Sequence, residues 1–254
     1  MLPKPLPRVI VNFRFLADRC TTLDQLAVVI EEVALALDFE FLAMLHNNSL
    51  LRQSDHLIRH DTYPPGWERI LVGRGQRVID PVLAYAQRTN TGFTWPHFPR
   101  RFPLTRSQEE IFEQGLRFGL RQGFTVPANV PGEPAGSITF ATRRTRTIGR
   151  ERQLIINSIG GIAFEAARRI KGLTDGPSPV PHLSEREREC VYWIAHGLSD
   201  KQVARTLGIA HATVRTHVRR AFDTLGVFTR QQLVYEALRL GLIEFDENVA
   251  YPGD

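Results

Sequence analysis

"SDKQVARTLGIAHATVRTHVRRAFDTLG", Ser199 to Gly226, holds two short helical patterns hinged on one glycine. Val203, Ala204 and Leu207 share the inner face of the first, and Ala204 is small where two helices must cross closely. Gly208 supplies the turn and Ile209 plugs the corner. Val214 and Val218 turn inward on the second helix, four residues apart. Arg215, Arg219 and Arg220 are thereby left outward, with Thr213 and Thr216 near the helix start and no acid before Asp223. This is helix-turn-helix logic. A helix with outward arginines on consecutive turns can enter the major groove, where Arg bonds guanine O6 and N7 in a bidentate way. A solvated basic face on an ordinary helical bundle is the competing reading.

Working outward, the whole C-terminal segment reads as helical: Ser184 to His196, Asp200 to Leu207, Ala212 to Leu225 and Arg230 to Leu240. Ser184 and Glu187 have capping-box spacing, and Gly197, Gly208, Gly226 and Gly241 sit where helices should end. Upstream, "KGLTDGPSPVPHLSERE" breaks any helix with glycines and prolines. The expected division is therefore a first domain over residues 1–172, a linker over 173–182, and a helix-turn-helix domain over 183–254.

The first domain mixes strands with helices. "TTLDQLAVVIEEVALALDFE", "DPVLAYAQRT", "TRSQEEIFEQGLRFGL" and "GRERQLIINSIGGIAFEAARRI" read as helices. "FEFLAMLHN" and "LLRQSDHLIRH" read as a strand pair turning at Asn47-Asn48-Ser49, and "GFTVPANV" and "GSITFATRR" as a second pair. Strands paired through short turns argue an α+β class: an α/β/α sandwich with an antiparallel sheet.

Composition is that of a soluble globular protein, with 43% hydrophobic and 23% charged residues. The formal charge of +5 favours an acidic partner such as nucleic acid. Two distant cysteines, Cys20 and Cys190, give no disulfide framework and fit a reducing cytoplasm. No apolar run is long enough to span a bilayer and no signal peptide is read, so no membrane role is expected. No nucleophile set or metal cluster is recognisable, so neither an enzyme nor a cofactor is expected; His56 and His60 make only a weak metal pair.

Tyr63, Trp67 and Asp80 stand out in "YPPGWERILVGRGQRVIDP". Gly73 and Gly75 lack the strand–helix setting of a phosphate loop. Tyr63 and Trp67 are spaced one helical turn apart. Asp80 precedes Pro81 and caps the next helix, a role that needs no ligand.

The string from Leu183 to Ile243 closely resembles the LuxR-type helix-turn-helix. That likeness implies base contacts for Arg215 and Arg219 and phosphate contacts for Lys201, Thr213 and Arg220. The family usually has Lys where Thr224 stands, which predicts a weaker salt dependence there. Residues 10–170, through Tyr63, Trp67, Asp-Pro at 80–81, "FTW" ending at Trp95 and "FGLRQGFTVP", resemble the autoinducer-binding domain of the same family. This second likeness implies a quorum-sensing transcription regulator that binds an acyl-homoserine lactone, and then double-stranded promoter DNA as a homodimer. By the likeness, Trp67 donates to the lactone carbonyl, Asp80 accepts the amide N–H, and Tyr63 donates to the amide carbonyl. Trp95 walls the ring, Thr139 is a second candidate for the amide carbonyl, and Gly123 permits close backbone approach. Leu71 stands where the family usually has Tyr, which predicts an altered tail pocket. It also leaves open a different, plant-derived ligand. A lactone hydrolase fused to a reader is the enzyme alternative.

Overall fold

The computed structural model describes residues 8–51, 54–73, 77–78, 80–95, 102–174 and 181–244. Its contacts form two compact units that divide between residues 175 and 176. Most of the expected linker, including Gly176, Pro177 and Pro179, lies outside the described residues.

The first unit opens with α1 (Arg8–Arg19) and α2 (Leu23–Ala36). Thr22 caps α2, its hydroxyl accepting the N–H of Gln25. Then follow β1 (Phe41–His46), a 3-10 turn (Asn47–Leu50), β2 (Arg59–Asp61) and α3 (Trp67–Leu71). A two-residue ladder, β3 (Val72–Gly73) with β4 (Arg77–Val78), leads to α4 (Pro81–Ala86) and β5 (Phe93–Thr94). The unit closes with α5 (Arg106–Arg117), β6 (Gln122–Ala128), β7 (Gly136–Thr142) and α6 (Arg150–Ile170). The main sheet is antiparallel throughout, in the order β2-β1-β7-β6-β5.

The sheet is buried on both faces. On one face Leu42, Met44, Phe124, Val126, Ile138 and Phe140 pack under α1, α2 and α6 in a solid core. On the other, Phe41, Ala43, Leu45 and Ala141 join Trp67, Leu71, Val82, Leu83 and Trp95 in a second cluster under α3, α4 and α5. This is the expected α/β/α sandwich. The small residues of α6 serve the first core. A Cβ on Gly160 would stand 2.8 Å from Cγ2 of both Ile138 and Val126, whereas Gly161 faces open space.

Two expectations need correction. "LLRQSDHLIRH" is not one strand: the chain turns at Asn47–Leu50 and pairs only at Arg59–Asp61. Arg59 reaches back to the Ser49 carbonyl at 3.1 Å and holds the turn that replaces the strand. Tyr63 does not share a helix with Trp67. It precedes Pro64, which disfavours helical backbone at Tyr63, and α3 starts only after Gly66 at φ +89°. Arg144 and Arg152 both hold Asp38, at 2.7 and 3.1 Å, and Arg143 lies over the Phe41 ring. His60 of the weak metal pair meets Glu31 at 2.7 Å. Gly75 of the glycine pair lies outside the described residues.

The second unit contains α7 (Glu185–Ala195), α8 (Asp200–Leu207), α9 (His211–Leu225) and α10 (Arg230–Arg239), the four helices expected. Capping boxes start three of them: Ser184 with Glu187, Ser199 with Gln202, and Thr229 with Gln232. The last two have the glutamine form that a search for Glu alone passes over.

Gly160→Val should crowd the helix–sheet contact and cost about 1–3 kcal/mol, lowering Tm by roughly 3–10 °C. Gly161→Ala, in open space on the same helix, should raise Tm slightly. Thermal melting of both variants checks the pair.

Candidate functional site

The second face of the sheet is hollow. A narrow cavity of about 50 Å³ lies between the sheet and α3, α4 and α5. Tyr63, Trp67, Leu71, Asp80, Trp95 and Thr139 all line it. These six were picked from scattered positions, and the fold brings every one to a single wall system.

Sheet register explains the floor. Asp61, Ala43, Thr139, Thr125 and Phe93 are successive cross-strand partners. Side chains on one such row share a face, so Thr139 and Thr125 stand side by side below the cavity. Trp95 donates its indole N–H to Thr125 Oγ1 at 3.1 Å, and Thr125 and Thr139 hydroxyls are 2.9 Å apart. Thr125 is fully buried. An indole is donor-only, so the Thr125 hydroxyl accepts from Trp95 and is itself hydrogen-bonded to the Thr139 hydroxyl. Tyr63 is hydrogen-bonded to Thr139 in turn, so the polar row runs from Trp95 to Tyr63 across the cavity wall. The first bond commits the Trp95 N–H to the protein, which restricts Trp95 to walling. Its ring lies flat over Gly123, where a Cβ would sit 2.4 Å from Cε2. Gly123 thus makes room for the Trp95 ring.

Trp67 differs from Trp95. Its ring packs against Phe118, centroids 5.4 Å apart, and lies over Gly115 of α5. Its indole N–H has no hydrogen-bond partner among the described residues and borders the cavity. Asp80 does cap α4, with Oδ1 accepting the Val82 N–H at 2.7 Å. A carboxylate has about four acceptor positions, so capping leaves acceptor capacity facing inward. The cap and the site are therefore compatible functions of one side chain. Burial pushes the Asp80 carboxyl up to about 6, against the opposing N–H bonds from Val82 and Leu83. Burial also raises the Tyr63 phenol, and the carboxylates of Asp80 and Asp61 raise it further, so it remains a neutral donor.

Sequence reading missed Thr125, Ser137, Asp61 and Glu68. The alternation in "GFTVPANV" and "GSITFATRR" could have found the first two, since each hydroxyl falls on the parity opposite the large apolar residues. Asp61 and Glu68 line the cavity at its rim, where Arg59 pairs with Glu68 at 2.6 Å and with Asp61 at 3.7 Å.

In the second unit Val203, Ala204, Val214, Val218 and Ala221 are buried. Lys201, Thr213, Arg215, Arg219, Arg220 and Thr224 are all exposed. Gly208 ends α8 at φ +63°, and the Ile209 N–H returns to the Ala204 carbonyl at 3.0 Å. Arg215, Thr216 and Arg219 line one groove along α9. Asp200, which lines the same groove, is paired with Arg230 at 2.7 Å. Among the described residues Arg215, Arg219 and Arg220 form no ion pair, so their guanidinium groups stand exposed in helical register.

Each of the two units has a match among known proteins. Residues 22–167 match the autoinducer binding domain, and residues 181–237 match bacterial regulatory proteins of the luxR family. The chain is 27% identical over 182 residues to the HTH-type transcriptional regulator y4qH of Sinorhizobium fredii, covering 72% of this chain and 56% of that one. It is 28% identical to the transcriptional activator protein VanR of Vibrio anguillarum, covering 80% and 84%. The crystal structure of Escherichia coli SdiA has the same fold, with a TM-score of 0.58, 23% identity and coverage of 93% and 98%.

The raised Asp80 carboxyl has a stability consequence. Its folded value near 6 lies above the ordinary 3.8. The protonated form is therefore the one folding favours, and this contribution is fully present below about pH 4 and lost as pH rises through 6. Asp80→Asn should flatten that part of the Tm-versus-pH profile between pH 4 and 7. Melting curves of ligand-free protein across that range decide it; parallel profiles would count against a buried, raised carboxyl.

Proposed function

We propose, for a chain that belongs to the LuxR family of autoinducer-binding transcription regulators, that its cavity takes an acyl-homoserine lactone and that the filled form binds promoter DNA as a homodimer. The family is one of transcription regulators, not enzymes.

The observation that carries the lactone reading is the set of polar groups on an otherwise apolar wall. A lactone head offers one ring carbonyl, one amide N–H and one amide carbonyl. Trp67 supplies a neutral donor for the first, Asp80 an acceptor for the second, and Tyr63 with Thr139 donors for the third. Trp95 is the flat wall for the ring. The acyl chain then lies along apolar side chains, gaining on the order of 0.8 kcal/mol per CH₂ taken from water. Binding at Asp80 favours its charged form, so affinity should rise from pH 5 to pH 7.5. Leu71 borders the same cavity. It is smaller than Tyr and lacks a hydroxyl, so the tail pocket favours a bulkier or branched acyl group than a Tyr-lined one.

Filling the cavity stabilises the first unit by mass action. Two copies then present two α9 helices to a two-fold related site, with Arg215 and Arg219 at base edges. Lys201, Thr213 and Arg220 hold phosphates.

Titration with a panel of acyl-homoserine lactones tests the pocket. At least one should raise Tm by several degrees, Trp67→Phe and Asp80→Asn should each weaken it about tenfold or more, and Leu71→Tyr should reorder the panel. An unchanged panel order in Leu71→Tyr sinks the tail-pocket assignment. Selection from a random DNA pool with lactone present tests the reader. An inverted repeat should be enriched, Arg219→Ala should cost about 1–3 kcal/mol and relax one position, and Thr224→Lys should steepen the salt dependence by about one phosphate contact.

A further inference from the structure

One polar group of the cavity has no counterpart in the head-group set. Ser137 lies on β7 two residues from Thr139, on the same face, opposite Leu45 of β1. Along a strand that separation is about 6.8 Å. The direction is set by the register: Gly123, which carries the Trp95 ring, pairs with Ala141, so Thr139 is next and Ser137 is the far end. Ser137 is 1% exposed and lines the cavity. Its hydroxyl has no hydrogen-bond partner among the described residues. Leu45, Leu50, Val82 and Leu83 also line the cavity, and a lone hydroxyl among such side chains is costly unless it meets a partner. The 3-10 turn that leaves this end of β1 holds two more buried atoms without a partner, Asn47 Oδ1 and Ser49 Oγ. The Asn47 N–H is tied to the Ala135 carbonyl at 2.8 Å, two residues before Ser137. Those two atoms lie outside the cavity lining, so at this end of the cavity wall Ser137 is the hydroxyl that a hydrocarbon tail would leave unpaired.

We propose that Ser137 forms a second polar station, which takes an oxygen carried by the acyl part of the ligand. The proposal rests on the lactone reading above. With the amide carbonyl at Tyr63 and Thr139, the oxygen falls roughly five to six bonds along an extended acyl chain. The ligand class is then an acyl-homoserine lactone hydroxylated near the end of a medium-length acyl chain. Ser137 can donate to such an oxygen or accept from it.

The test compares hexanoyl- and 6-hydroxyhexanoyl-homoserine lactone by titration on the full chain and on Ser137→Ala. In the native protein the hydroxylated lactone should bind about tenfold tighter, the worth of one well-formed buried hydrogen bond. Ser137→Ala should bring that ratio close to one while leaving the plain lactone within about threefold of its native affinity. A plain lactone that binds the native protein as tightly or more tightly overturns the station and leaves the lactone reading standing. So does a tenfold ratio that survives Ser137→Ala. Failure of both lactones to bind while another lactone of the panel raises Tm overturns the station alone; failure of the whole panel overturns the lactone reading and the station with it.

Discussion

Trp95 gives its indole proton to Thr125, and Thr125 sits 2.9 Å from Thr139. This short chain of bonds is what the hollow face of the sheet depends on. A hydroxyl buried in an apolar layer must be paired, and an unmade bond there costs about 1–3 kcal/mol. The donor-only indole fixes the first bond, and Thr139 links the row on to Tyr63 at the cavity wall. The same bond holds the Trp95 ring over Gly123, where no side chain larger than hydrogen fits. Floor, wall and donor are thus one arrangement.

The two faces of the sheet divide the work. One is filled by large apolar side chains under three helices and resists change. The other carries small and hydroxyl residues on the central strands: Ala43, Ser137 and Thr139 line the cavity, and Thr125 and Gly123 lie against the Trp95 wall. Neither face contacts water broadly. For that reason the strands lack the polar–apolar alternation of a solvated sheet, and all six residues of β1 are buried. Helices were legible from periodicity and caps. The short edge strand β5 and the break in "LLRQSDHLIRH" were not, because they are set by pairing partners distant in sequence and by the Arg59 side chain crossing to Ser49.

The helix-turn-helix unit was the more legible of the two. Its contacts are local: Gly208 follows α8 directly, Val214 and Val218 are one turn apart, and each capping box closes within four residues. Outward arginines follow from the inward valines, since a helix has only so many faces. Little long-range information is needed, and the four helices fall where the sequence placed them.

In the first unit the sequence by itself determined the residue types: two tryptophans, a capping aspartate, a tyrosine before two prolines, and a leucine at position 71. It also determined the helices and the central strands, because propensity, period and capping act within a few residues. Only the tertiary structure decided what those residues can do. It separated the two indoles into one already bonded and one open to the cavity. It showed that Asp80 caps and still faces inward, and it carried Thr125 and Ser137 into the floor. The physical reason is that a hydrogen bond or a cavity wall depends on atoms meeting across strands dozens of residues apart, and no local pattern encodes which atoms meet.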